Sequence, residues 1–117
     1  SGTTVRVFQN GTQIGSNLTS SYNFNDTTNI VRIGNEGSTS VGSAYKGYIT
    51  NFRWVKGTAV YPSNFTRPAP PLTAVTNTKL LLLADTSGTA TTDSSGLGKS
   101  VTNISVTWVT ADPFGGT

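Results

Sequence analysis

The sequence predicts an all-β protein, built as an antiparallel sandwich or jelly roll in one domain covering residues 1–117. Apolar residues recur at every second position in short runs, which is the period of a β-strand. Gly, Asn, Asp and Ser separate the runs at intervals typical of turns. No window has a helical period with a capping residue and a stop signal. About seven short strands are expected from this spacing, in layers that bury one face each.

The clearest local pattern is a β-hairpin at the start of the chain. A strand from Thr3 to Gln9 precedes Asn10-Gly11, and a second short strand runs through Ile14. Asn-Gly between alternating runs favours a type I′ turn, because both central residues must adopt positive φ.

Further strands are predicted from the same alternation. Residues 37–44 have no period and are interpreted as a loop, and residues 86–98 as a turn-rich connection. The run of four leucines is far shorter than the ~20 residues of a membrane helix, so no membrane insertion is expected. The expected strands are Asn29–Ile33, Gly47–Val55, Lys79–Asp85 and Val101–Thr110.

Aromatic residues are concentrated between residues 45 and 65. Strand alternation places Phe52 and Trp54 on one apolar face, so both are predicted to be buried in the core; the alternative is that they form a platform for a ligand. A Pro-rich arm at 61–72 follows, and proline cannot donate to a strand ladder. The arm is therefore expected to run along an edge or over a face, docked by Tyr61 and Phe65.

Composition excludes several classes of function. The chain has no Cys and no His, which excludes disulfides, thiolate catalysis and imidazole catalysis. The net charge is +3, but the basic residues are scattered singly, so no nucleic-acid partner is expected. The acids stand in turn contexts without a paired arrangement on a strand, so we expect no enzyme activity. They are Asp26, Glu36, Asp85, Asp93 and Asp112.

Five segments carry a resemblance to a known family. "GYITNFRWVKGTAVYPSNFTRPAPPL" is similar to the hallmark of concanavalin A-like lectin/glucanase domains, in particular the laminin-G-like branch of marine phage and virus structural proteins and of bacterial surface proteins. "VRVFQNGTQIGS" and "TNIVRIGNEG" resemble earlier strands of that family, and "NTKLLLLADTSGTATTDSSG" and "VTWVTADPF" its closing strands. The resemblance implies a jelly-roll sandwich of two antiparallel sheets. Domains of the family have more strands before the hairpin, so the chain is expected to be a C-terminal portion, incomplete at its N-terminus.

The resemblance also implies a carbohydrate site and allows a calcium site. An aromatic ring would cover the apolar face of a sugar, and polar side chains would bind its hydroxyls; the alternative is that these are ordinary loop residues. The candidate sugar-binding residues are Tyr22, Asn35, Glu36 and Tyr45. Ca²⁺ would be held by Asp85 and Asp93, although turn-forming roles for these two acids are favoured. No other cofactor is expected.

Asn-x-Ser/Thr triplets provide candidate glycosylation sites, which matter only in a source with a glycosylation route. They begin at Asn10, Asn17, Asn25, Asn64 and Asn103.

The leading hypothesis is a non-enzymatic carbohydrate-binding or structural attachment module displayed on a virion, as a fibre, decoration or capsid-associated protein. Its partners would be glycans, copies of itself or other structural proteins of the assembly. The alternative is a laminin-G-like adhesion domain of a bacterial or eukaryotic extracellular surface protein, located at the cell surface.

Overall fold

The computed structural model describes residues 3–21, 30–35 and 44–110. These ranges contain four strands and no helix: β1 Thr4–Gln9, β2 Thr12–Thr19, β3 Phe52–Val55 and β4 Thr78–Leu82. They form two antiparallel two-stranded sheets, β1–β2 and β3–β4. The all-β prediction is confirmed. A search of the described residues for a helix with the length and hydropathy of a membrane span found none.

The first hairpin turns where the sequence predicted it. Asn10 and Gly11 have φ values of 52° and 83°, the positive pair that a type I′ turn requires. β2 continues well beyond the expected Ile14. The register changes between Val5 and Val7, where the ladder contains a bulge, and Gly15 at φ 67° supplies extra backbone opposite this point.

The second sheet contains the best-buried side chain. Leu81 of β4 is 2% exposed and is the one buried hydrophobic residue among those described. Trp54 of β3 pairs with Leu80 in this sheet. β3 begins at Phe52, later than the expected Gly47, because Asn51 has φ 53° and interrupts the extended backbone.

The Pro-rich arm at 61–72, which was predicted to run along an edge or over a face, makes hydrogen bonds at both sheets. At one end the Phe65 N–H donates to the Gly11 carbonyl at 2.9 Å, on the turn of the first hairpin. At the other end the Leu72 N–H donates to Asn51 Oδ1 at 2.7 Å, beside β3. The arm is therefore hydrogen-bonded to the turn of the first hairpin and to Asn51 beside the second sheet.

Aromatic packing holds the arm in place. The Tyr61 ring stacks on Phe65 with centroids 3.7 Å apart, and Phe65 meets Phe8 of β1 edge-on at 5.5 Å. Arg53 of β3 donates to the Tyr61 hydroxyl at 3.1 Å and to the Thr73 carbonyl at 2.9 Å. The predicted docking roles of Tyr61 and Phe65 are confirmed.

Two predicted strands are wrong in the described residues. Residues 101–110 form no strand, because the Asn103 side chain accepts a hydrogen bond from the Val106 N–H and donates to the Val106 carbonyl, both at 2.8 Å. Ser105 lies inside this turn at φ 57°. A local side-chain bond of this kind replaces ladder pairing. Residues 30–33 also form no ladder, and Ile30 is 73% exposed.

The prediction that Trp54 is buried is also wrong. Trp54 is 40% exposed, while Phe52 on the same strand is partly buried. Strand alternation predicts which residues share a face, but it does not predict whether another layer covers that face. Within the described residues β3 belongs to a sheet of two strands, and Trp54 remains accessible.

Gly11→Ala is expected to destabilise the protein by roughly 2–5 kcal/mol. A Cβ at Gly11 would lie 2.0 Å from the Phe65 carbonyl oxygen, so the arm would have to move. Gly57→Ala is the matched control, because Gly57 has a similar φ of 91° but no atom within 4 Å of an added Cβ. The control should lose only the backbone strain of about 1–2 kcal/mol. Urea unfolding of the two variants measures the difference, and equal losses would contradict the arm contact.

Candidate functional site

The candidate sugar-binding residues Asn35 and Tyr45 lie side by side. Asn35 forms an isolated antiparallel bridge with Ala44, and the Tyr45 N–H donates to the Gly34 carbonyl at 2.7 Å. Backbone pairing therefore brings together two positions that are ten residues apart in a turn-rich sequence. Tyr22 and Glu36, the other two candidates, lie outside the described residues.

The Tyr45 ring lies across the backbone at Gly47. A Cβ at Gly47 would be 2.8 Å from Cε1, Cζ and Oη of Tyr45. This distance is too short, so the ring would have to move if residue 47 carried a side chain. Tyr45 nevertheless remains 61% exposed. The glycine therefore lets the backbone support the ring from one side while the rest of the ring is open to solvent.

Gly34 lies where the two paired segments pack against each other. Its φ of 80° falls in the left-handed region that glycine tolerates. A Cβ added at Gly34 would lie 3.6 Å from Ile49 Cδ1 and 3.8 Å from Tyr45 Cβ. The segment that contains Gly34 is therefore packed against the segment at 45–49. The result is an exposed aromatic ring on a backbone-paired segment, and such a ring can stack on the apolar face of a sugar.

Other exposed rings were not identified from the sequence as accessible. Tyr48 is 66% exposed, Trp54 40% and Trp108 37%. The sequence interpretation assigned Trp54 to the core and Trp108 to a closing strand, and both assignments assumed a covering layer. The structure therefore offers more aromatic surface than the sequence indicated, although only Tyr45 among the described candidates is joined to Asn35.

Asp93 organises the loop that follows β4. Its Oδ1 accepts from the backbone N–H groups of Leu81 at 3.1 Å and Ser95 at 2.9 Å. Its Oδ2 accepts from the Ser95 hydroxyl at 2.8 Å and the Lys99 N–H at 2.9 Å. Burial alone would raise the pKa of Asp93, but these hydrogen bonds outweigh it and lower the pKa from 3.8 to about 2.

This geometry bears on the candidate calcium residues. A carboxylate has about four lone-pair positions, and four donors already approach those of Asp93, so a cation would have to displace them. Asp85 accepts a hydrogen bond from the Thr89 hydroxyl. Within the described ranges no three His, Cys, Asp or Glu side chains form a group able to hold a metal. Both acids thus have turn-stabilising contacts, and calcium binding by them stays a prediction.

The structure does not test the prediction that the remaining acidic residues are non-catalytic. Asp26, Glu36 and Asp112 lie outside the described residues. The expectation that the protein has no enzyme activity therefore stays a prediction.

Four of the five candidate glycosylation asparagines lie in the described residues, and Asn25 does not. Asn10 occupies the hairpin turn, and Asn17 accepts a hydrogen bond from Gln13 Nε2 at 3.0 Å. Asn64 Oδ1 accepts from the Gln13 N–H at 2.9 Å, which helps to hold the arm on β2. Asn103 uses its amide nitrogen in the turn with Val106.

Asp93→Ala is expected to lower the free energy of unfolding by about 1–3 kcal/mol at pH 7, because the Leu81 N–H loses its acceptor. Since the folded-state pKa lies below the ordinary value of 3.8, the charged carboxylate stabilises the protein above about pH 4, and this contribution is lost as pH falls toward 2. Unfolding of wild type and Asp93→Asn between pH 2 and pH 7 should therefore show a steeper acid loss in the wild type.

Asp85→Asn is the control for the change in charge, since Asp85 lies in the same connection. It should leave the acid loss of stability close to that of the wild type. An identical pH dependence in wild type and Asp93→Asn would contradict the role given to Asp93.

Comparisons of the chain with protein-family models, with curated proteins and with solved structures each found no match. The likeness to concanavalin A-like lectins accordingly stays an interpretation of the motifs quoted above.

Proposed function

We propose that the protein is a non-enzymatic carbohydrate-binding module of the concanavalin A-like jelly-roll kind, displayed on the surface of a virion. The observation that carries this proposal is the Tyr45 ring, which lies on the Gly47 backbone with 61% of the residue exposed, one residue from the backbone bridge between Ala44 and Asn35. A supported, accessible ring suits the apolar face of a pyranose, and polar groups of the paired segments would bind its hydroxyls.

The support from Gly47 matters for affinity. A ring already held in one orientation loses less conformational entropy when a ligand stacks on it than a freely rotating side chain does. Binding through one ring and one amide is still weak, with a Kd on the order of 0.1–1 mM. Attachment to a glycan-covered surface would then depend on many linked copies, whose effective concentration multiplies the weak individual affinities.

An uncovered apolar face of the first hairpin supports assembly with a second copy of the chain. Val5 pairs with Leu18 and Val7 with Ile14, and the four side chains are between 37% and 61% exposed. None of these four side chains carries a charge. The face can therefore pack against the same face of a second copy without bringing like charges together, although each chain has a net charge of +3. Self-association would both cover the patch and supply several sugar sites.

The sugar site is tested by removing the ring and by displacing it. A glycan array probed with bead-displayed protein identifies a ligand, and nuclear magnetic resonance titration then gives its Kd. Tyr45→Ala should weaken binding about tenfold or more through lost stacking. Gly47→Ala should weaken it too, because the added Cβ moves the ring. Tyr48→Ala, which removes a neighbouring exposed ring, should bind within about twofold of wild type; equal losses in all three variants would contradict a site at Tyr45.

Self-association is tested by light scattering at high protein concentration. Wild type is expected as a dimer or larger species, and Leu18→Lys should shift it toward monomer because it places a charge in the apolar face. Ser87→Lys adds the same charge at an exposed position of the turn-rich connection and should leave the mass unchanged. A monomeric wild type would contradict the assembly.

A further inference from the structure

Arg6 occupies an inward position on β1. The side chains of Thr4, Arg6 and Phe8 are partly buried, whereas the alternate residues Val5, Val7 and Gln9 are exposed. The inner face of the strand therefore has a guanidinium between a hydroxyl and an aromatic ring. A charge at such a position is costly unless something pairs with it.

Arg6 has no such partner in the part of the chain that the structure describes. No hydrogen bond or ion pair involves its guanidinium there, whereas Arg53 donates to the Thr73 carbonyl and the Tyr61 hydroxyl. The two described carboxylates, Asp85 and Asp93, accept hydrogen bonds within their own connection. Among the described residues, no carboxylate therefore pairs with the charge of Arg6.

A cavity of about 250 Å³ opens beside this guanidinium, between the hairpin and the start of the arm. It is below the roughly 300–1,000 Å³ of pockets for drug-sized ligands, and at about 30 Å³ per water it has space for a ligand of about one sugar ring. Its lining residues are Thr4, Val5, Arg6, Phe8, Ala59 and Tyr61.

The walls of the cavity are set before any ligand arrives. Tyr61 is stacked on Phe65 at 3.7 Å, and its hydroxyl accepts a hydrogen bond from Arg53. Phe8 is held edge-on by the same Phe65 ring. Two aromatic side chains that are held by Phe65 therefore line the cavity together with Arg6.

We propose that this cavity binds an acidic sugar residue, with its carboxylate on Arg6 and its ring against Phe8 and Tyr61. A guanidinium matches a carboxylate with two parallel hydrogen bonds, and the aromatic rings match the C–H face of a pyranose. The site is separate from Tyr45 and Asn35 and goes beyond the function proposed above. Binding here would select charged glycans, because the Arg6 guanidinium pairs with a carboxylate.

The proposal is tested by titrating the protein with glucuronate and following the backbone amides by nuclear magnetic resonance. Glucuronate should shift the amides of Arg6, Phe8 and Tyr61, and glucose, its neutral counterpart, should bind at least about tenfold more weakly. Arg6→Gln should lose about tenfold in affinity, and Arg6→Lys less. Lys79→Gln, which removes the same charge from an exposed position on β4, should stay within about twofold of wild type.

Three results would overturn the acidic-sugar site. Glucose could bind as well as glucuronate, Lys79→Gln could lose as much as Arg6→Gln, or inorganic sulfate could bind as tightly as glucuronate, which would indicate a general anion site. Amide dispersion checks that each variant is folded, and if Arg6→Gln is not, the ligand comparison on wild type and Arg6→Lys still decides. Shifts of the Arg6, Phe8 and Tyr61 amides report binding in this cavity, and shifts of the Asn35 and Tyr45 amides report the site proposed above, so failure of one site is distinguishable from failure of the other.

Discussion

The contact between the Pro-rich arm and the turn of the first hairpin is the constraint on which the other features depend. Each sheet in the described residues has two strands, and an isolated two-stranded hairpin is marginally stable in water. Because Gly11 has no side chain, the arm backbone approaches closely enough for the Phe65 N–H to donate to the Gly11 carbonyl. At the second sheet, Asn51 Oδ1 accepts a hydrogen bond from the Leu72 N–H. The arm thereby links the first hairpin to the β3–β4 sheet, and its Tyr61 lines the Arg6 cavity.

Polar contacts carry much of the cohesion around the second sheet. Leu81 is buried, but its backbone is completed by the loop: its N–H donates to Asp93 and its carbonyl accepts from the Ser94 N–H at 2.8 Å. The loop therefore occupies the place of a further strand on this side of β4. Hydrogen bonds of this kind fix geometry but contribute about 1 kcal/mol each, less than a filled apolar core would. The exposed side chains of Val5, Val7, Ile14 and Leu18 on the first hairpin are the apolar surface that the proposed assembly would cover.

The sequence predicted local structure correctly where the residue type restricts the backbone conformation. Asn10-Gly11 specifies its turn because few other pairs accept two positive φ values, and the prolines specify the arm because they cannot join a ladder. Prediction failed where a polar side chain competes with the ladder, as Asn103 does by bonding to Val106. It failed again at Trp54, because burial depends on a second layer that strand alternation does not specify. Of the residues in the proposed sites, Asn35 and Tyr45 were already candidates at the level of the sequence, whereas Arg6 required the geometry of the cavity.

Hydrogen exchange of individual backbone amides tests the central claim that the arm is an integral part of the fold. The Phe65 and Leu72 amides bond to acceptors on the first hairpin and beside β3, respectively. If the arm joins the sheets, both amides should exchange as slowly as the Leu81 amide within the second sheet, because all three open in one cooperative unit. Exchange of Phe65 and Leu72 at the rate of an exposed loop, with Leu81 protected, would contradict the account.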